Sequence, residues 1–255
     1  MKKKYKIEDR GKYIGNTLVR QIRALRDIGE DVKAGDIGGW VESEDNLAQS
    51  GECWIYDGSA VMGEARVRDN ATVGGRSLVC EKACICGQAV VRGEATIYSE
   101  AVVKDQARVE GFVVINGEVV IKDQATVRDR AVIASFATVG GQAVVSEDCV
   151  VFGKAEVGGK TRLAGRLAVR DQVRLCLDKE LSGDAILSGG QVVESVGDLV
   201  RCGVNVREDC GRCFLTPQRA LTVEVINEIL SSEKRCRQIF PDGVFSPVFY
   251  RFHLT

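Results

Sequence analysis

The chain holds one histidine, His253, third from its end and set between Phe252 and Leu254. Imidazole is the side chain best suited to take a proton near neutral pH, so histidine general-base chemistry must run through this one residue. Carboxylates such as Glu110 and Glu156 are the substitutes, but solvated acids titrate near 4 and make poor bases. No catalytic residue is therefore expected, with His253 the one weak candidate. Thiols come next: Cys210-Gly-Arg-Cys213 is a CxxC, and with Cys202 and Cys236 it offers four thiolates to a structural zinc ion. Neither a second CxxC nor histidines at ligand spacing accompany it, so zinc is a minor option and no other cofactor is expected. Guanidinium groups are the third source of chemistry. Arg92, Arg108, Arg128 and Arg162 form one basic ladder and Arg66, Arg68, Lys104 and Lys122 another, in positions to pair with the phosphates of a nucleotide or with an acidic partner. Acidic Glu64, Glu94, Glu100 and Glu118 recur nearby and no aromatic alternates with the ladders to stack bases. A solvated, salt-bridged surface is the simpler expectation, and nucleic acid is not the expected partner.

What must position these groups is a repeat of six. From Leu47 to Val196 the chain divides into 25 consecutive hexads without an insertion. The third position is Val, Ile or Leu in 24 of them, Gln49 being the exception, and the first is alanine in 13. Positions five and six collect Gly, Asp, Glu, Gln and Lys, which are turn formers. Period-two alternation puts positions one and three on the same side of a short strand, and the turn redirects the chain every sixth residue. A six-residue period drifts around a helix of 3.6 residues per turn, and glycine with β-branched residues opposes a helix further. Short parallel strands coiled on themselves remain, small residues at the corners and large aliphatics in the middle.

This pattern resembles the hexapeptide repeat of left-handed parallel β-helices. The resemblance implies three hexads per triangular coil, hence about eight coils over residues 47–196, an all-β fold with capped ends. Residues 1–46 form the expected N-terminal cap. Within them and just beyond, the RQIRALRD run, the VKAGDIGGWV stretch read as a turn, and the GECWIYD entry to the first coil are similar to the N-terminal signature of YdcK-like hexapeptide-repeat proteins of enteric bacteria and their phages. Residues 197–255 form the C-terminal cap. There Thr216 as N-cap and Pro217 at the first helical position predict a helix over 217–231, followed by a phenylalanine-rich tail that should dock somewhere apolar. Hexapeptide-repeat acyltransferases, by resemblance, use a histidine base toward an acceptor, with acyl-coenzyme A between neighbouring prisms. No hexad of this chain contains a histidine, and no long loop interrupts the hexads to wall off a site.

The three faces of such a prism differ. Outward positions of every third hexad include Leu78, Tyr98, Val114, Val132, Val150, Phe152 and Ile186, and of the 16 outward residues on that face 12 are apolar and one is charged. A strip of this kind exceeds what a monomer leaves in water, so it must be covered by the C-terminal segment, a second copy or another protein. The expectation is a rigid, non-enzymatic binding or assembly scaffold, a homo-oligomeric dimer or trimer with a protein partner as a further option, of a kind a phage could encode to act on a host factor. The rivals are an acyltransferase using acetyl-coenzyme A and a nucleotide-binding sponge. The balance of 35 basic and 36 acidic residues gives no overall pull toward polyanions. No stretch approaches 18 consecutive apolar residues, so no membrane partner and a cytoplasmic location, with reduced thiols, are expected.

Overall fold

The structure, a computed structural model, describes residues 3–217. Its corners show why the repeat is six. From Gly51 to Gly189 the fifth hexad position adopts a left-handed backbone at almost every turn, in glycines such as Gly63, Gly75, Gly93 and Gly111 and in Asp69, Asp105, Asp123, Asp129 and Asp171. Glycine enters this region without steric cost, and aspartate is among the few side chains that tolerate it. The acids have a second task. Each carboxylate accepts the corner N–H of the next coil, as in Asp69 from Gly87 (3.0 Å), Asp123 from Gly141 (2.8 Å) and Asp171 from Gly189 (3.0 Å), always 18 residues on.

Eighteen residues per coil give three parallel walls, and the fold is the left-handed parallel β-helix that the hexads predict. Inward positions one and three are sealed: Ala95, Ala101 and Ala107 alternate along the chain with Ile97, Val103 and Val109, all fully buried. Each such aliphatic contributes roughly 1.5–3 kcal/mol by leaving water. The walls stack without slippage, for example Thr96 over Val114 over Val132 over Val150, because a one-residue slip would turn every core side chain outward.

The stack contains about nine coils rather than the eight expected, since it extends past the hexads at both ends. At the start, β1 (Tyr5–Ile14) and β2 (Thr17–Ala24) form an antiparallel hairpin, and β3 (Ile37–Val41) pairs antiparallel with β2 and parallel with Ala60–Val61. The stretch IGGWV, read from sequence as part of a turn, is therefore the first rung of a wall. Its glycines let two backbones approach: a Cβ on Gly38 would lie 2.6 Å from the Trp54 ring and one on Gly39 2.6 Å from the Ser59 carbonyl oxygen. At the other end a one-turn helix, Val196–Leu199, is followed by a hairpin of Val204–Asp209 and Arg212–Pro217, whose second strand pairs parallel with Glu180–Gly183. Leu199, Val204 and Leu215 complete the core there. Thr216 and Pro217, expected as N-cap and first position of a helix over 217–231, instead end the strand Arg212–Pro217, held there by antiparallel pairing with Asn205 and Val204; the rest of that expected helix and the phenylalanine-rich tail lie outside the described residues.

The N-terminal opening of the prism is plugged by polar groups. Gln49, the exception among the third positions, accepts the Lys4 backbone N–H at 2.8 Å, and the buried Tyr5 hydroxyl donates to the Leu47 carbonyl at 2.7 Å. Asn46 donates to the carbonyls of Gly63 and Ala65, both at 2.9 Å, and accepts from the backbone of Glu42 and Ser43. Lys4 itself is fully buried, its ammonium spent on groups around Cys53. Backbone donors and acceptors that a parallel stack leaves open at its end are thus satisfied locally.

Candidate interaction face

The wall that runs from β3 through Ala60–Val61, Leu78–Val79, Thr96–Ile97, Val114–Ile115, Val132–Ile133 and Val150–Val151 to Arg166–Val169 carries the expected apolar strip. Its outward side chains form two patches. The first joins Trp40, Ala60 and Leu78 to Ile14, Val19 and Met62, so the N-terminal hairpin lies across the beginning of the wall. The Lys12 ammonium sits 4.2 Å from the centre of the Trp40 ring and closes that patch at its edge. Sequence reasoning missed this cover, because nothing in the hairpin shares the period of six.

The second patch is Val132, Ala134, Val150, Phe152 and Ala168, with Val114 and Ile186 packed against it. Val132 is 2% exposed, Val150 4% and Phe152 7%, although all three point away from the prism axis. Valines in the same outward position on the other walls, Val90, Val102, Val120 and Val144, are half-buried with rungs above and below them. Between the patches Tyr98 is also buried, its hydroxyl accepting from the Asn116 amide at 2.7 Å. The structure thus brings Leu78, Tyr98, Val114, Val132, Val150, Phe152 and Ile186 onto one wall, as the hexad spacing predicts, and divides all but Tyr98 between two patches.

The arginines fall differently. Arg92, Arg108, Arg128 and Arg162 share one wall and are exposed, but the register puts them in two rows. Glu110 lies directly between Arg92 and Arg128, while Thr126 and Val144 separate Arg108 from Arg162. No continuous basic groove results. Several ion pairs elsewhere on the surface span the coil spacing of 18, such as Lys82–Glu100 at 3.2 Å and Arg130–Asp148 at 2.7 Å. Exposed pairs of this kind are worth little each.

Three of the four candidate thiols lie within the described residues. Cys210 is exposed in the turn of the C-terminal hairpin, Cys213 points into the core, and Cys202 is buried in the short helical turn that precedes the hairpin. Among the described residues no three His, Cys, Asp or Glu side chains are grouped to hold a metal ion, and Cys236 lies outside them. Burial raises the thiols of Cys53, Cys202 and Cys213 above their ordinary value, and that of Cys149 to about 12. Cys86 reaches about 11 through burial and the neighbouring Cys84. Such thiols are poor nucleophiles, since the thiolate is the reactive form, although at Cys53 the charge of Lys4 and its hydrogen bond to the sulfur oppose the rise. Cys80 and Cys86, in outward positions of their hexads, are nevertheless covered, at 3% and 6% exposure. His253 lies outside the described residues. Among those residues no helix is long and apolar enough to cross a membrane.

No family model matches the chain. Over 46 residues it is 54% identical to a curated protein named "Uncharacterized acetyltransferase YdcK", of Escherichia coli (strain K12). That stretch is 18% of this chain and 14% of the relative. The similarity agrees with the resemblance to YdcK-like hexapeptide-repeat proteins read from the sequence.

Proposed function

We propose that this chain is a rigid β-helical scaffold that binds rather than transforms, assembling with a second copy or a protein partner through its apolar wall and its C-terminal segment. The carrying observation is the burial of Val132, Val150 and Phe152 within a single chain, in a cluster whose members among the described residues all belong to the wall. An apolar strip left in water would promote uncontrolled association, and a segment rich in phenylalanine has the chemistry to cover it. A phage-borne protein of this kind would meet its partner in the host cytoplasm. The absence of histidine from every hexad further supports binding over acyl transfer. Light scattering on the purified full chain should give one defined oligomer, and incubation with acetyl-coenzyme A and candidate amine or hydroxyl acceptors should release no thiol. Turnover that disappears in His253→Ala would overturn the proposal.

One observation favours a second reading. The relative that matches over 46 residues is named as an acetyltransferase, and the hexad prism is the scaffold on which such enzymes are built by resemblance. Under that reading acetyl-coenzyme A would lie between prisms with His253 as base, and thiol release in the same assay decides between the two. Nucleotide retention by Arg92 and Arg108 would show as heat on titration of the nucleotide, lost in Arg92→Ala; the interleaved Glu110 weighs against it. The zinc option at Cys202, Cys210, Cys213 and Cys236 is tested by metal analysis of the purified chain.

A further inference from the structure

The buried lysine at the N-terminal end of the prism has a partner that capping does not require. Lys4 Nζ donates to the Cys53 carbonyl at 2.9 Å and the Ser50 carbonyl at 3.3 Å, and it lies 3.1 Å from Cys53 Sγ. Both side chains are fully buried, and no ion pair joins Lys4 to a carboxylate of the described residues. Cys53 occupies the first position of its hexad, the seat that alanine fills in 13 of 25 cases, so the core there does not need sulfur. An amine and a thiol have been placed in contact in a site closed to bulk water.

We propose that Lys4 and Cys53 are an oxidation-sensitive pair that peroxide converts into a covalent cross-link, tying the first strand to the first coil. Hydrogen peroxide transfers one oxygen to Sγ: its O–O bond breaks, S–H becomes S–OH, and the other oxygen leaves as water. The Lys4 nitrogen lone pair then attacks the sulfur. The N–S bond forms as the S–O bond breaks, and the departing hydroxide takes one amine proton to leave as a second water. Sulfur loses two electrons and peroxide gains them, so thiol, amine and one peroxide give a sulfenamide and two waters. Burial drives the lysine toward its neutral, nucleophilic form, which suits it to the second step, and the short N···S distance removes the need for rearrangement. Peroxide is small enough to reach a core position through local opening of the N-terminal strand. The link would close the chain between residues 4 and 53 and hold the plug in place.

The test treats the full chain with hydrogen peroxide, blocks free thiols, digests with trypsin and reads the peptides by mass spectrometry. Trypsin needs a free lysine amine, so the expected result is loss of cleavage after Lys4 and a joined peptide pair lighter by two hydrogens. A pair with an additional oxygen between nitrogen and sulfur, from a second peroxide equivalent, supports the proposal equally. The pair should separate under dithiothreitol, be absent from Cys53→Ala and Lys4→Arg, and be absent from protein oxidised in concentrated urea. Peroxide should also raise the melting temperature of the wild type and leave that of Cys53→Ala unchanged. Recovery of Cys53 as a free thiol or a sulfinic acid, with cleavage after Lys4 intact, would overturn it.

Discussion

A left-handed corner constrains single residues more than any strand does. In the column Gly75, Gly93, Gly111 the backbones lie so close that a Cβ on Gly93 would meet the Gly111 nitrogen at 2.6 Å, at a φ of +84°. Gly93→Ala should therefore lower stability by about 1–3 kcal/mol, combining left-handed strain with the clash. Gly190→Ala, with open space around it and no left-handed backbone, should stay within about 0.5 kcal/mol, and urea midpoints compare the two. The buried Lys4 makes a second prediction, through pH. Burial, the largest cause, depresses its folded pKa below the ordinary 10.5, and Arg26 adds to this. Between the depressed value and the unfolded one the unfolded chain binds more protons, so this group makes stability rise with pH across that window and adds no slope below it. Urea midpoints from pH 7 to 10 should rise in the wild type relative to Lys4→Met. Equal profiles would mean the amine is not desolvated. Neither Lys4 nor Tyr5 was legible in the sequence, because a charged residue near a terminus carries no periodic signal. Gln49 was the available clue: the one break in a column of 24 aliphatics marks where the N-terminal strand docks.

At the scale of elements, strands of two residues are stable only because each inherits its register from the rung below. Ile115 is fully buried between Ile97 and Ile133, so Ile115→Ala removes packing on both sides and should cost about 2–5 kcal/mol. Val102→Ala, at a half-buried outward position in an equally regular rung, should cost about 1 kcal/mol or less by the same thermal or urea measurement. Similar losses at both sites would contradict the assignment of inward and outward positions. This much was readable from the hexads, since period two and period six leave no other way to bury 24 large aliphatics. The rung formed by β3 was not. Its Gly38-Gly39 pair looks like a turn in a linear sequence and becomes a strand only because Trp54, Ile22 and Ser59 crowd against it from elements distant in the chain. Tertiary context overrode local propensity there.

For the whole molecule the unequal walls matter most. The apolar wall was legible as a composition, one charged outward residue in 16, whereas its division into a patch under the N-terminal hairpin and a patch around Val150 depends on contacts that no spacing encodes. Two glutamate substitutions in otherwise equivalent outward positions separate a covered wall from a bare one. Val132 is 2% exposed on the apolar wall, and Val120 is half-buried on the wall that bears Lys104 and Lys122. A carboxylate at 120 can reach water, so Val120→Glu should change stability by no more than about 1 kcal/mol. At 132 the charge must either displace the cover or be buried without a partner, and Val132→Glu should cost about 2–5 kcal/mol. If the cover is the chain's own C-terminal segment, the variant should lose that stability before its mass in light scattering changes. If the cover is a second copy, the mass should fall at concentrations where the variant remains folded. Equal, small effects at 120 and 132 would mean that the wall is open to water in solution, and a scaffold built around it would have to be abandoned.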